Sequence, residues 1–208
     1  MGRLENLKPR GRNRQSRKRN SIIVIGCEGK NKTEEIYFKN FNSRQCIIKF
    51  STGNSTDPVG IVKDLIRFIE NDIGREKDDK YYVVIDTDIN QNKQSQIDKA
   101  RELAIENGIE FITSIPTFEY WYILHFEYTT KMYNSSEEVQ NDIKEKIKGY
   151  TKSMNIYNLL KEKTDVAIKN AKEVEKYHLK AGKSINNENS NPYTGVYKVV
   201  EELIRRNK

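Results

Sequence analysis

Ser21-Ile22-Ile23-Val24-Ile25-Gly26-Cys27-Glu28 and Tyr81-Tyr82-Val83-Val84-Ile85-Asp86-Thr87-Asp88 are the two stretches on which the fold turns. Each is a continuous β-branched or aromatic run of strand length, and each ends abruptly in carboxylates. A continuous run suits a strand buried on both faces, as strands of parallel sheets are. Working outward, residues 32–41 place Ile36, Tyr37, Phe38 and Phe41 at helical spacing. Thr33 is the predicted N-cap there, and Glu34 and Glu35 occupy the first turn, where the helix dipole favours acids. Residues 46–50 read as a short strand. Asp57-Pro58 then opens a helix striped by Val59, Val62, Leu65, Ile66 and Ile69. A third helix, carrying Ile97, Ala100, Leu103 and Ala104, stops at Asn107-Gly108, and residues 109–115 form the fourth strand.

The resulting βαβαβαβ order predicts an α/β fold with a parallel sheet of about four strands. Beyond Pro116 no strand is expected. Residues 117–128, 135–148, 153–180 and 195–207 read as helical, which predicts a C-terminal α-helical extension. The expected division is a basic arm over residues 1–20, an α/β core over 21–128 and a helical extension over 129–208 packing on that core.

Composition narrows the class. Of 208 residues 36% are hydrophobic and 32% charged, polar for a globular protein, but seven Phe, twelve Tyr and one Trp suffice to build a core. No stretch approaches the ~18 consecutive apolar residues of a membrane span. The opening residues lack the pattern of a signal peptide, and two cysteines cannot make a disulfide framework. The expected compartment is therefore the cytoplasm. Charge is uneven: residues 1–20 hold eight basic residues and one acid, which equals the whole net charge of +7. Such an arm binds phosphate backbones by counterion release without sequence preference, or is simply a solvated leader.

The carboxylates at the strand ends carry the chemistry. In an open parallel sheet, ligands bind outside the carboxyl ends of the strands, where strand order reverses. If the first and third strands are neighbours, as in a 2-1-3-4 order, Glu28, Asp86 and Asp88 converge on that crevice. Oxygen ligands with open positions suit Mg²⁺ or Mn²⁺. Asp-x-Asp leaving a strand turns both acids to one side, and Gly29 allows close backbone approach. Turn chemistry alone also favours Asp after a strand, so each motif by itself is weak and their conjunction is the signal.

A hydrophobic strand ending in Glu-Gly, then a strand ending in Asp-x-Asp, resembles the Toprim domains of topoisomerases, bacterial primases and several nucleases. More specifically, the chain resembles the RloB-like family of phage-defence proteins. The likeness rests on Cys27-Glu28-Gly29-Lys30-Asn31-Lys32-Thr33-Glu34-Glu35-Ile36-Tyr37-Phe38, Val84-Ile85-Asp86-Thr87-Asp88-Ile89-Asn90, Phe118-Glu119-Tyr120-Trp121-Tyr122-Ile123-Leu124-His125-Phe126 and Asn191-Pro192-Tyr193-Thr194-Gly195-Val196-Tyr197. It covers nearly the whole chain from about residue 15. The resemblance implies a Toprim-like core, Mg²⁺-dependent cleavage of nucleic acid and association with an ATPase in abortive infection.

Three further readings complete the expectations. Glu119, the lone acid in an aromatic run after Pro116-Thr117, is either a first-turn acid favoured by the dipole or a fourth carboxylate delivered to the crevice. His125 serves as an acid or base, or is structural in its aromatic helix. Lys30 and Lys32, beside Glu28, are candidate contacts for substrate phosphate. Neither Gly29-Lys30 nor Gly182-Lys183-Ser184 completes a phosphate-binding loop, so this chain is not expected to hydrolyse ATP itself. The predicted function is thus a metal-dependent nuclease acting on RNA or DNA. Asp86 and Asp88 would hold the ion, and Glu28 would ligate a second ion or act as general base. The competing class is a non-catalytic module that binds nucleic acid or a nucleotide and regulates an ATPase partner. The sequence implies no membrane partner and leaves homo-oligomerisation open.

Overall fold

The apolar runs at the heart of the sequence become the central strands of one mixed sheet. The computed structural model describes residues 20–28, 33–87, 94–185 and 188–208. Its elements are β1 (Ile22–Gly26), α1 (Thr33–Lys39), β2 (Ile47–Phe50), α2 (Pro58–Asn71), β3 (Lys80–Asp86), α3 (Gln94–Glu106) and β4 (Glu110–Ile115). There follow α4 (Glu119–Ile123), α5 (Ser136–Lys146), α6 (Tyr157–Leu160), α7 (Thr164–Lys180), β5 (Tyr193–Thr194) and α8 (Val196–Arg206). The basic arm of residues 1–20 lies outside the described residues except for Asn20. Among the described residues no helix is long and apolar enough to cross a membrane.

Strand order is β2-β1-β3-β4-β5, so β1 and β3 are neighbours as the strand-end motifs require. The first four strands are parallel, with Val24 beside Tyr81 and Val84 beside Ile112. Alternate side chains of each central strand enter different cores, because successive Cβ atoms point to opposite faces. Ile22, Val24, Tyr81, Val83 and Ile85 pack with Ile61, Val62, Leu65 and Ile69 of α2 and Ala100 and Ala104 of α3. Ile23, Ile25, Tyr82, Val84 and Ile112 pack with α1, α4, α5, α7 and α8 on the other face. Both helix-end signals read from the sequence hold. The Asp57 carboxylate accepts from the Gly60 N–H at 2.8 Å, and Gly108, at φ +68°, closes α3 while the Ile109 N–H reaches Ala104 O at 2.9 Å.

The C-terminal part departs from the helix-only expectation. Tyr193–Thr194 forms β5, antiparallel to β4, with Thr194 opposite Ser114 and their hydroxyls 2.9 Å apart. Its motif clasps several elements. The Asn191 side-chain amide donates to Tyr133 O at 2.7 Å, and the Tyr193 and Tyr197 hydroxyls both donate to Glu175 on α7, at 2.9 and 3.0 Å. Two helical readings also shorten. Past Ile123 the chain tightens, with the Phe126 N–H bonded to Ile123 O while Asn170 takes the Leu124 carbonyl. Before α6, Asn155 captures the Tyr157 N–H at 3.1 Å, a local side-chain bond that competes with helix.

Leu65 is fully buried under the sheet, whereas Leu159 is half exposed. Leu65→Ala should cost about 2–5 kcal/mol of stability in urea unfolding, and Leu159→Ala less than about 0.5 kcal/mol. Similar losses in the two variants would contradict this assignment of the core.

A candidate active site at the carboxyl end of the sheet

Each acid of the site arrives at this end of the sheet for a local reason. Asp86 is the last residue of β3, and its carboxylate is fixed by the segment that follows β4. The Phe118 N–H donates to Oδ1 at 2.7 Å, and the Thr117 hydroxyl reaches Oδ2 at 2.9 Å. The same hydroxyl makes a shorter contact with Glu119 Oε2. A threonine hydroxyl carries one proton, so it cannot donate to both carboxylates at once. The arrangement is complete when one of the two acids is itself protonated or a cation intervenes.

Glu119 opens α4, in the first turn as the dipole reading has it, and is 1% exposed, so it also faces the interior. Besides Thr117 it meets the Tyr150 hydroxyl and the Thr33 hydroxyl at 3.5 Å each, and the Lys152 ammonium at 3.7 Å. Glu34 arrives from α1, is 3% exposed, and its Oε2 has no hydrogen-bond partner among the described residues. Thr33 is the first residue of that helix rather than its cap, and its hydroxyl donates to Lys152 O at 2.9 Å.

Crowding of acids in a desolvated crevice makes ionisation costly. Burial first, and then the Glu119 charge, push the Asp86 carboxyl up to about 8. Burial, followed by the Asp86 charge, holds Glu34 well above the usual carboxylate range. The Cys27 thiol beyond β1 is raised chiefly by burial, and then by Glu34, Glu35, Asp86 and Glu28. Glu28 is thus at the same end of the sheet, half-buried two residues past β1, but Glu34 and Glu119 are the carboxylates whose charges press on Asp86 or are pressed by it.

Of the residues singled out in the sequence, the structure brings Asp86 and Glu119 together and leaves Glu28 at the rim. Asp88, Lys30 and Lys32 lie outside the described residues. His125 stays apart from the acids. Its Nδ1–H donates to Trp121 O at 2.9 Å, and burial lowers its pKa to about 4, so it remains neutral among aromatic rings. Sequence reasoning missed Glu34, Thr117, Tyr150 and Lys152. Glu34 had a legible signal: with Tyr37, Phe38 and Phe41 it completes the i, i+3, i+4, i+7 stripe that faces the core.

The donor set fits a hard divalent cation in kind: carboxylate oxygens, one of them buried and unpartnered, in a cluster short of positive charge. Among the described residues no three carboxylate, imidazole or thiol groups are close enough to hold one ion between them. The described acids therefore do not by themselves form a closed cage for an ion.

These features define an α/β protein with an acidic crevice at the carboxyl end of a mostly parallel sheet. A family model described as RloB-like protein matches residues 23–203, and the chain belongs to the RloB-like protein family. No curated protein and no solved structure matches it.

The raised Asp86 pKa fixes a sign. Between about 4 and about 8 the folded chain holds a proton that the unfolded chain releases, so this group's contribution to stability is full at low pH and is lost as pH rises through about 8. Without divalent ions, Asp86→Asn should remove part of the fall in Tm between pH 5 and pH 8.5, and melt above the wild type at the higher pH. Identical pH dependence in the two proteins would refute the shift.

Proposed function

We propose that this chain is a metal-dependent nuclease with a Toprim-like core, cleaving RNA or DNA within an anti-phage abortive-infection system and acting with an ATPase partner. The observation that carries the reading is the cluster of Asp86, Glu34 and Glu119 at the carboxyl ends of adjacent parallel strands. Strand order reverses between β1 and β3, the location where open α/β sheets bind ligands. Membership of the RloB-like family supports the defence setting and the ATPase partner.

In this reading Asp86, Asp88 and Glu28 hold Mg²⁺ or Mn²⁺, with the buried Glu34 completing the acidic wall. A bound ion would supply charge neutralisation at the phosphorus and acidify the attacking water. The chain's own residues do the rest. Where Glu28, at the half-exposed rim, is not itself a ligand of the ion, it takes the proton that water loses as its oxygen bonds to phosphorus. The bond from phosphorus to the bridging oxygen breaks, that oxygen takes up a proton from solvent water, and a phosphate monoester and a free hydroxyl result. The Thr117 hydroxyl and the Phe118 N–H keep the Asp86 carboxylate aimed into the crevice. Lys30 and Lys32 bind substrate phosphates, and the basic arm adds sequence-independent affinity for the backbone.

The test is incubation of the purified full chain with mixed single- and double-stranded RNA and DNA, with Mg²⁺ or Mn²⁺, and with a chelator as control. Metal-dependent cleavage is expected, and Asp86→Asn should reduce it by about 10²-fold or more. Nucleic-acid binding without cleavage under any of these conditions would instead favour a regulatory binding module.

A further inference from the structure

The loop between α5 and α6 reaches the acid cluster from a part of the chain that neither strand-end motif includes. Gly149, at φ +79°, turns the chain back after α5, a conformation that glycine adopts without strain. Tyr150 is thereby buried beneath Glu119, and Lys152 is left at the mouth of the cluster.

Lys152 is held in an unusual way. Its backbone is anchored, because its carbonyl oxygen accepts the Thr33 hydroxyl at 2.9 Å. Its side chain is not. The ammonium stands 3.7 Å from Glu119 Oε1, beyond hydrogen-bonding distance, and makes no hydrogen bond among the described residues. Its side chain is 33% exposed. Pairs of similar length, Lys80–Glu110 at 3.8 Å and Lys176–Glu173 at 3.6 Å, have both side chains about half exposed, whereas here the Glu119 side chain is 2% exposed. Lys152 therefore keeps all three of its N–H donors, faces solvent, and is aligned on the acid cluster by charge alone. Its charge also eases the ionisation of both Asp86 and Glu34.

An anchored backbone with unspent donors at the edge of an acidic crevice suits an anion that enters from solvent. We propose that Lys152 contacts the scissile phosphate of the nucleic-acid strand and stabilises the charge that grows on its non-bridging oxygens during attack. This rests on the nuclease reading above and assigns it a catalytic cation supplied by the C-terminal helical part. No proton transfer is required of the ammonium; it acts as a fixed donor where charge develops.

The experiment compares wild type, Asp86→Asn, Lys152→Gln and Lys152→Arg as full chains. An end-labelled single-stranded RNA and the matching DNA are the cleavage probes at saturating Mn²⁺, and Mn²⁺ alone is the calorimetric probe. Lys152→Gln should lose about 10²-fold in kcat/KM. Its Mn²⁺ Kd should be unchanged or lower, since a cation has been removed from beside the carboxylates, and Lys152→Arg should recover part of the rate. If circular dichroism shows that the Gln variant is not folded, Lys152→Arg decides. A severalfold slower rate with unchanged Mn²⁺ Kd supports the contact, and a wild-type rate overturns it. A Gln variant within twofold of wild type, with Asp86→Asn inactive, removes Lys152 and leaves the nuclease reading standing. Loss of Mn²⁺ binding in the Gln variant would show a role in the ion site instead and overturn the phosphate contact. A wild type that cleaves neither probe removes both.

Discussion

Asp86 and Glu119 compete for a single threonine proton in a crevice that excludes most water, and much of the molecule is arranged around that conflict. Like charges at such range repel strongly when desolvated, so the cluster needs a proton, a cation, or both. The protein meets the need only in part. The Phe118 N–H, the Thr117 and Tyr150 hydroxyls and the Lys152 ammonium supply positive potential, yet Glu34 Oε2 remains without a partner. A fold that merely required stability would have little use for three crowded acids, two of them fully buried, and one loosely held lysine. In the proposed reading, that deficit is room for a divalent ion.

Two halves of the sequence are joined at this site. The strands bring Asp86 and the rim acid Glu28, α1 brings Thr33 and Glu34, and the loop after α5 brings Tyr150 and Lys152. The Thr33–Lys152 bond links the two halves directly, and β5 joins the same sheet through Ser114 and Thr194. The C-terminal part is therefore structural support for the sheet and a wall of the crevice at once. Ordering of its loops and positioning of the acids are physically coupled.

How much of this was legible in advance follows from how local each determinant is. The β-branched runs at residues 22–26 and 80–86 announce buried parallel strands, because both faces must be apolar. Asp57-Pro58 and Asn107-Gly108 announce helix ends, because capping depends on adjacent residues. β5 escaped, since two residues have no periodicity and their pairing with β4 is set entirely by tertiary contacts. The bond from the Thr33 hydroxyl to Lys152 O escaped for the same reason, since it joins residues far apart in sequence. Lys152 and Tyr150 follow no pattern at all; only the turn at Gly149 brings them to Glu119. Glu34 lay within reach, for an acid on the apolar stripe of a helix cannot be a surface charge.

The central claim is that Asp86 holds a proton which the proposed divalent ion displaces. Calorimetric titration of Mn²⁺ into the full chain, in buffers of different ionisation enthalpy, tests it most directly. The account predicts proton release on binding, and an affinity that rises with pH toward about 8, where Asp86 loses its proton in the metal-free protein. Mn²⁺ binding of constant affinity across that range, with no proton released, would contradict it.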